Sequence, residues 1–166
     1  MKRIVVIADT HFGPAEIKLP TEVVEALKIA DIIVHAGDFT CGDMLKYMQS
    51  MGDLRGVQGN MDSKSIRARL PERLAFEVDG VKIGVIHGER GPVGFIDRVS
   101  EAMKDLNCQL VICAHTHNAF IETRGGTIYL NPGSPTDKRF AKKNSYAIIE
   151  ITDDGKIIPN IKEVKF

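Results

Sequence analysis

The sequence predicts an α/β fold, a mixed parallel and antiparallel sheet with helices outside it, and three observations point there. Short apolar runs rich in β-branched residues alternate with helical patterns through the first two-thirds of the chain. The helical signal stops after Leu110–Ala114. The remainder of the chain holds two pairs of strand-like runs split by Gly125-Gly126 and by Asp153-Asp154-Gly155, residues suited to tight hairpin turns.

Arg3–Ala8 reads RIVVIA, a near-continuous apolar run of strand length, as expected of a strand buried on both faces. Thr21–Ala30 places Val23, Val24, Leu27 and Ala30 at helical spacing, with Thr21 as the expected N-cap. Ile32–Ala36 returns to strand. Thr40 followed by Asp43 reads as a capping box opening a second helix, with Met44, Leu45, Met48 and Met51 turned inward as core. Leu54–Gly59 is a third strand, and Arg73–Ile86 is a hairpin turning at Asp79-Gly80. Gly94–Leu106 is helical by the spacing of Phe95, Val99, Met103 and Leu106, and Leu110–Ala114 is another buried strand. The closing hairpins run Ala119–Thr123 with Thr127–Asn131, and Ser145–Ile151 with Lys156–Val164.

At 166 residues the chain suits one domain, residues 1–166, with no repeat, linker or low-complexity tract. Its 22 basic and 22 acidic side chains cancel, so net charge gives no reason to expect nucleic-acid or membrane binding. No apolar run approaches the roughly 20 residues that span a bilayer. The opening MKRIVVIADTH is too short in its apolar part for a signal peptide and is read as the first strand. Cys41, Cys108 and Cys113 are odd in number and lack C-x-x-C spacing, which fits a reducing, cytoplasmic setting; Cys113 closes the run LVIC as a core thiol.

Residues of metal-binding type recur just past the end of each apolar strand. Asp9-Thr10-His11 follows the first, Gly37-Asp38 the second and Gly59-Asn60-Met61-Asp62 the third. His87-Gly88 follows the hairpin, and His115-Thr116-His117 follows Leu110–Ala114. In open α/β sheets ligands bind outside the carboxyl ends of the strands, so these loops are expected to deliver Asp9, His11, Asp38, Asn60, His87, His115 and His117 into one crevice. Mixed oxygen and nitrogen donors favour Mn²⁺, Fe²⁺, Zn²⁺, Co²⁺ or Ni²⁺ over Ca²⁺, and Mn²⁺ is the expected ion among them. Seven donors exceed what one ion with an open position needs and suit two ions sharing a carboxylate. Two such ions, roughly 3.5–4 Å apart, acidify a bridging water and clamp a phosphoryl group.

Each fragment alone is weak, since D-x-H and Gly-Asp occur often by chance. The ordered set, D-x-H, G-D, G-N-x-D, H-G and x-H-x-H, resembles the calcineurin-like metallophosphoesterase superfamily. The short length and Asn131-Pro132-Gly133-Ser134 resemble its compact bacterial and archaeal phosphodiesterase branch, whose fold a retromer subunit shares. The resemblance implies an αββα sandwich of two mixed β-sheets flanked by helices. It implies that Asp9, His11, Asp38 and His117 hold one metal while Asp38, Asn60, His87 and His115 hold the other. The expected function is a dinuclear metal-dependent phosphodiesterase using a metal-bridging hydroxide, with no protein nucleophile and a small phosphate ester as substrate. A catalytically weak protein-interaction scaffold of the same fold is the alternative, and oligomeric state stays open, a homo-oligomer included.

Two departures stand out. Ala114 replaces the glycine of the usual G-H-x-H, and Met61 stands where many family enzymes have a histidine read as proton donor or phosphate ligand. A thioether donates no proton, so good leaving groups should be preferred. Asp62 is read either as a substitute acid or as a residue orienting its loop. His35 is expected to be buried or to steady a ligand. Gly37, Gly59 and Gly88 are read as backbone devices for tight turns, and Asn131 and Ser134 as part of a loop lining the site. Arg90, Lys138 and Arg139 are candidates for phosphate contact, against the ordinary reading of solvated surface charge.

Overall fold

The computed structural model describes residues 1–13 and 17–165. Among the described residues, ten strands form two five-stranded sheets. The first joins β1 (Lys2–Ile7), β2 (Ile32–His35), β3 (Leu54–Gly56), β9 (Ser145–Ile151) and β10 (Ile157–Glu163) in the order β10-β9-β1-β2-β3. The second joins β4 (Arg73–Val78), β5 (Val81–Ile86), β6 (Leu110–Ile112), β7 (Phe120–Arg124) and β8 (Thr127–Asn131) in the order β4-β5-β6-β8-β7. Each sheet holds a parallel trio, β1-β2-β3 and β5-β6-β8, with antiparallel strands outside it.

The unbroken apolar run of β1 is explained by what covers it. Ile4, Val6 and Ala8 join Ile83, Val85, Leu110 and Ile112 in a core between the sheets. Val5 and Ile7 turn the other way, onto α1 (Thr21–Lys28) and α2 (Gly42–Met51), whose Val23, Leu27, Met44, Leu45 and Met48 are buried there. On the far face of the second sheet, α4 (Phe95–Met103) lays Phe95, Val99 and Met103 against Val111, Cys113 and Tyr129. The layers are therefore helix, sheet, sheet, helix, as expected from the alternation of side chains on a strand.

Several boundaries differ from the sequence expectation. The residue before α1 is Pro20, with Thr21 already helical and no side-chain cap. Thr40 does not cap α2 either: it lies at φ 71°, its hydroxyl donates to the Phe12 carbonyl, and Cys41 precedes the helix. The third strand ends at Gly56, where pairing with His35 stops. The long fourth helix tightens into a 3₁₀ turn over Lys104–Leu106. A one-turn helix, α3 (Lys64–Arg67), was not expected; its Ser63 hydroxyl accepts from the Ile66 N–H.

Candidate metal centre

Residues just past the carboxyl ends of the parallel strands of both sheets meet at one crevice. Asp9, His11, Asp38 and His117 each present a donor atom, and the four atoms lie within 4.8 Å of one another. His11 Nε2 stands 3.4 Å from Asp38 Oδ2, and His117 Nε2 stands 3.5 Å from Asp9 Oδ1. On the other side of Asp38, His87 Nε2 lies 3.3 Å from the same Oδ2. Asn60 Oδ1 is 3.1 Å from both His87 Nε2 and His115 Nδ1. All seven sequence-predicted residues thus come to one crevice, with Asp38 Oδ2 between His11 Nε2 and His87 Nε2.

The backbone is bent to achieve this. Asp9, His11, Asp38, His115 and His117 all have φ between 48° and 70°, the left-handed region that non-glycine residues seldom enter. Such conformations cluster where function over-determines the chain. Glycine is required beside them. A Cβ at Gly59 would lie 2.1 Å from Asp38 Oδ1, and one at Gly37 (φ 99°) 2.7 Å from His87 Nδ1.

Surrounding groups fix which ring nitrogen is free. His87 Nδ1–H donates to the Ala36 carbonyl (2.8 Å), leaving its Nε2 lone pair toward Asp38 and Asn60. His117 Nδ1–H donates to Asp137 Oδ2 (2.6 Å), leaving its Nε2 toward Asp9. Asp9 Oδ2 accepts the His115 N–H, while Asp9 Oδ1 is buried with no hydrogen-bond partner among the described residues. A buried, unpartnered carboxylate oxygen facing imidazole lone pairs is unstable without a cation, and this is the observation by which the residues fit a divalent ion. Burial pushes the Asp9 carboxyl up to about 7, against the pull of His87 and His117.

The remaining candidates brace the crevice. His35 is fully buried; its Nδ1 accepts the Gly37 N–H (3.2 Å) and its Nε2–H donates to Thr10 Oγ1 (3.1 Å), which reaches the Asp38 carbonyl. Burial drives its pKa down to about 3. Asp62 accepts the N–H groups of Asp38, Gly59 and Thr40, so it orients the loops, and its buried carboxylate is not an acid open to substrate. Gly88 (φ 94°) leaves room for the Phe95 ring. Asn131 and Ser134 are buried and do not line the open depression over the centre. Asn131 donates to the Ala114 carbonyl and Thr116 hydroxyl, and Ser134 donates to the Asp9 carbonyl.

An open depression of about 700 Å³ lies over the centre, with His11, Asp38, Asn60, His115 and His117 in its floor and Met61, Arg90, Arg139 and Phe140 around it. Met61 is 59% exposed, so the position that departs from the family's usual histidine does face this space. Lys138 is not among its lining residues. Sequence reasoning missed Asp137. It sits twenty residues beyond His117, outside every motif, in a stretch (Asp137-Lys138-Arg139) that reads as surface charge.

Residues 1–154 match the family model of the calcineurin-like phosphoesterase superfamily domain. A protein named probable metallophosphoesterase from Methanothermobacter thermautotrophicus is 35% identical over 134 residues, covering 81% of this chain and 77% of its own. Another protein so named, from Methanocaldococcus jannaschii, is 34% identical over 161 residues, covering 93% of this chain and 79% of its own. In fold, the chain is similar to Vps29 from Entamoeba histolytica, solved in complex with Zn²⁺, at a TM-score of 0.76 and 21% identity over 98% of this chain and 99% of that one.

Proposed function

The chain belongs to the calcineurin-like phosphoesterase superfamily, a family of metal-dependent phosphoesterases, and from that footing we propose that it is a phosphodiesterase working with two divalent cations. The observation that carries the reading is the place of Asp38: one carboxylate oxygen within 3.4 Å of His11 Nε2 and 3.3 Å of His87 Nε2, between two groups of donors. Asp9, His11, Asp38 and His117 would hold one ion; Asp38, Asn60, His87 and His115 would hold the other. The ions would supply the Lewis acidity that makes water nucleophilic near neutral pH and offsets phosphoryl charge. Manganese is the ion proposed first among the divalent transition metals that a nitrogen and oxygen set with no thiolate can hold.

The protein's part is positional. His87 and His117 are locked with Nε2 inward by Ala36 and Asp137, so no reorientation is needed when an ion arrives. Two dications opposed by Asp9 and Asp38 leave the centre cationic, which suits the single negative charge of a phosphodiester. Arg90 and Arg139 at the rim add positive charge on the approach. The depression is open, which supports broad selectivity among small esters. The reading as a protein-interaction scaffold, suggested by the Vps29-like fold, is opposed by retention of every donor in the set.

The test is an assay with an aryl phosphodiester and the matching monoester, each with and without added Mn²⁺. The expected result is metal-dependent cleavage favouring the diester, lost in Asp38→Ala. Full activity in that variant would refute the mechanism; preference for the monoester would refute the diester assignment.

A further inference from the structure

The two imidazoles held Nε2-inward are backed by different groups. His87 is backed by a neutral backbone carbonyl, that of Ala36. His117 alone donates to a carboxylate: Nδ1–H to Asp137 Oδ2 at 2.6 Å, with the Asp137 side chain 9% exposed and the imidazole 11%. That carboxylate is itself tethered. Its Oδ2 also accepts the N–H groups of Phe140 (2.9 Å) and Ala141 (2.8 Å), and its Oδ1 accepts that of Arg139 (2.9 Å). From behind, Asn144 Nδ2 donates to the Asp137 carbonyl (2.7 Å), and the Ser134 hydroxyl accepts the Asp137 N–H (2.9 Å). An oxygen with three donors converging on it, on a side chain only 9% exposed, has little freedom to move, and neither has the ring it grips.

We propose that Asp137 is a positioning residue for the cation held by Asp9, His11 and His117, acting through the His117 ring and not on the cation at the far end of the centre. The contact has three physical consequences. It fixes the tautomer, so the nitrogen 3.5 Å from Asp9 Oδ1 presents a lone pair. It fixes the ring plane, which would otherwise turn about its side-chain torsions in the open depression. It raises the basicity of the donor nitrogen, since the partial positive charge that a cation induces on the ring is shared with a carboxylate. Because Asn60, His87 and His115 make no contact with Asp137 among the described residues, the effect is confined to one end.

The proposal rests on the two-cation reading above and is tested so that the two can fail separately. Mn²⁺ is titrated calorimetrically into the full chain, wild type and Asp137→Asn, and the zinc-loaded proteins are compared by ¹⁵N correlation of the histidine rings. In Asp137→Asn, one of two binding events should weaken about 10- to 100-fold, the range usual for loss of such a backing group, and the other should stay within twofold. The His117 Nδ1–H resonance, far downfield in the wild type, should move upfield. Because Asp137→Asn could loosen the loop as a whole, Asn144→Ala serves as the control: it removes a tether of the same loop while leaving the Asp137 carboxylate on His117, and its loss at either event should stay well below that of Asp137→Asn. Unchanged Mn²⁺ affinities in Asp137→Asn, a His117 ring protonated at Nε2, or an equal loss in Asn144→Ala would each overturn the proposal while leaving the two-cation reading intact. A wild type that takes up no Mn²⁺ would overturn both.

Discussion

The Nε2 atoms of His11 and His117 face one another across 3.3 Å, from loops 106 residues apart in sequence. The His117 Nδ1–H is committed to Asp137, so Nε2 is the ring nitrogen turned toward that space. The two rings are brought together with a lone pair directed at the space they share with Asp9 and Asp38, an arrangement that costs stability unless something positive fills it.

Asp9 should therefore reveal itself through pH in the chelated protein. Its carboxyl, raised to about 7 in the fold against an unfolded value near 4, binds its proton more tightly when folded. Folded stability from this group is present at pH 4 and declines as pH rises toward 7, by up to about 1.4 kcal/mol per unit. Asp9→Asn, which keeps an acceptor for the His115 N–H and offers an amide to the imidazoles, should lack that slope. Denaturant unfolding in chelator at pH 5 and pH 8 checks this; equal pH dependence in the two proteins would count against it.

Met61 sits exposed at the depression, its own N–H donated to Asp38 Oδ1 (2.8 Å). Histidine fits there without disturbing packing. Met61→His should raise turnover on alkyl phosphodiesters at least tenfold while changing aryl esters little, because an acid helps poor leaving groups most. A leaving-group series for both proteins decides it, and parallel lines would show that no proton donor is missing.

Gly59 leaves no room for a methyl group against Asp38. Gly59→Ala should lower activity by more than 100-fold and cost about 1–3 kcal/mol in stability, as overpacking usually does. Gly42→Ala, where an added Cβ meets nothing within 4 Å among the described residues, should change neither. Thermal melts alongside the diesterase assay separate the two effects.

The seven candidate residues were legible because each follows the end of an apolar strand, and strand ends can be read from β-branched runs alone. The mixed sheet with outer helices came from the same runs, and Ile4–Ala8 is apolar throughout because one face meets the second sheet and the other meets α1 and α2, whereas the layering of two sheets was implied only by the family resemblance. Local detail was less accessible. Thr40 has the residue type of a cap, but its hydroxyl is drawn to the Phe12 carbonyl by a loop that exists only in the folded chain. The single turn of α3 is too short for any periodicity. Asp137 could not be found from spacing, since its meaning depends on a loop returning over His117; nor could the left-handed backbone of five donors, which residue identity does not record.

Most direct of all is the count of manganese ions. Equilibrium binding of Mn²⁺ to the chelator-treated wild type, followed by electron paramagnetic resonance, should give two ions per chain with the exchange-coupled spectrum of a pair sharing a ligand. Asp38→Ala should lose the coupling. One uncoupled ion per chain in the wild type, or none, would contradict the account at its centre.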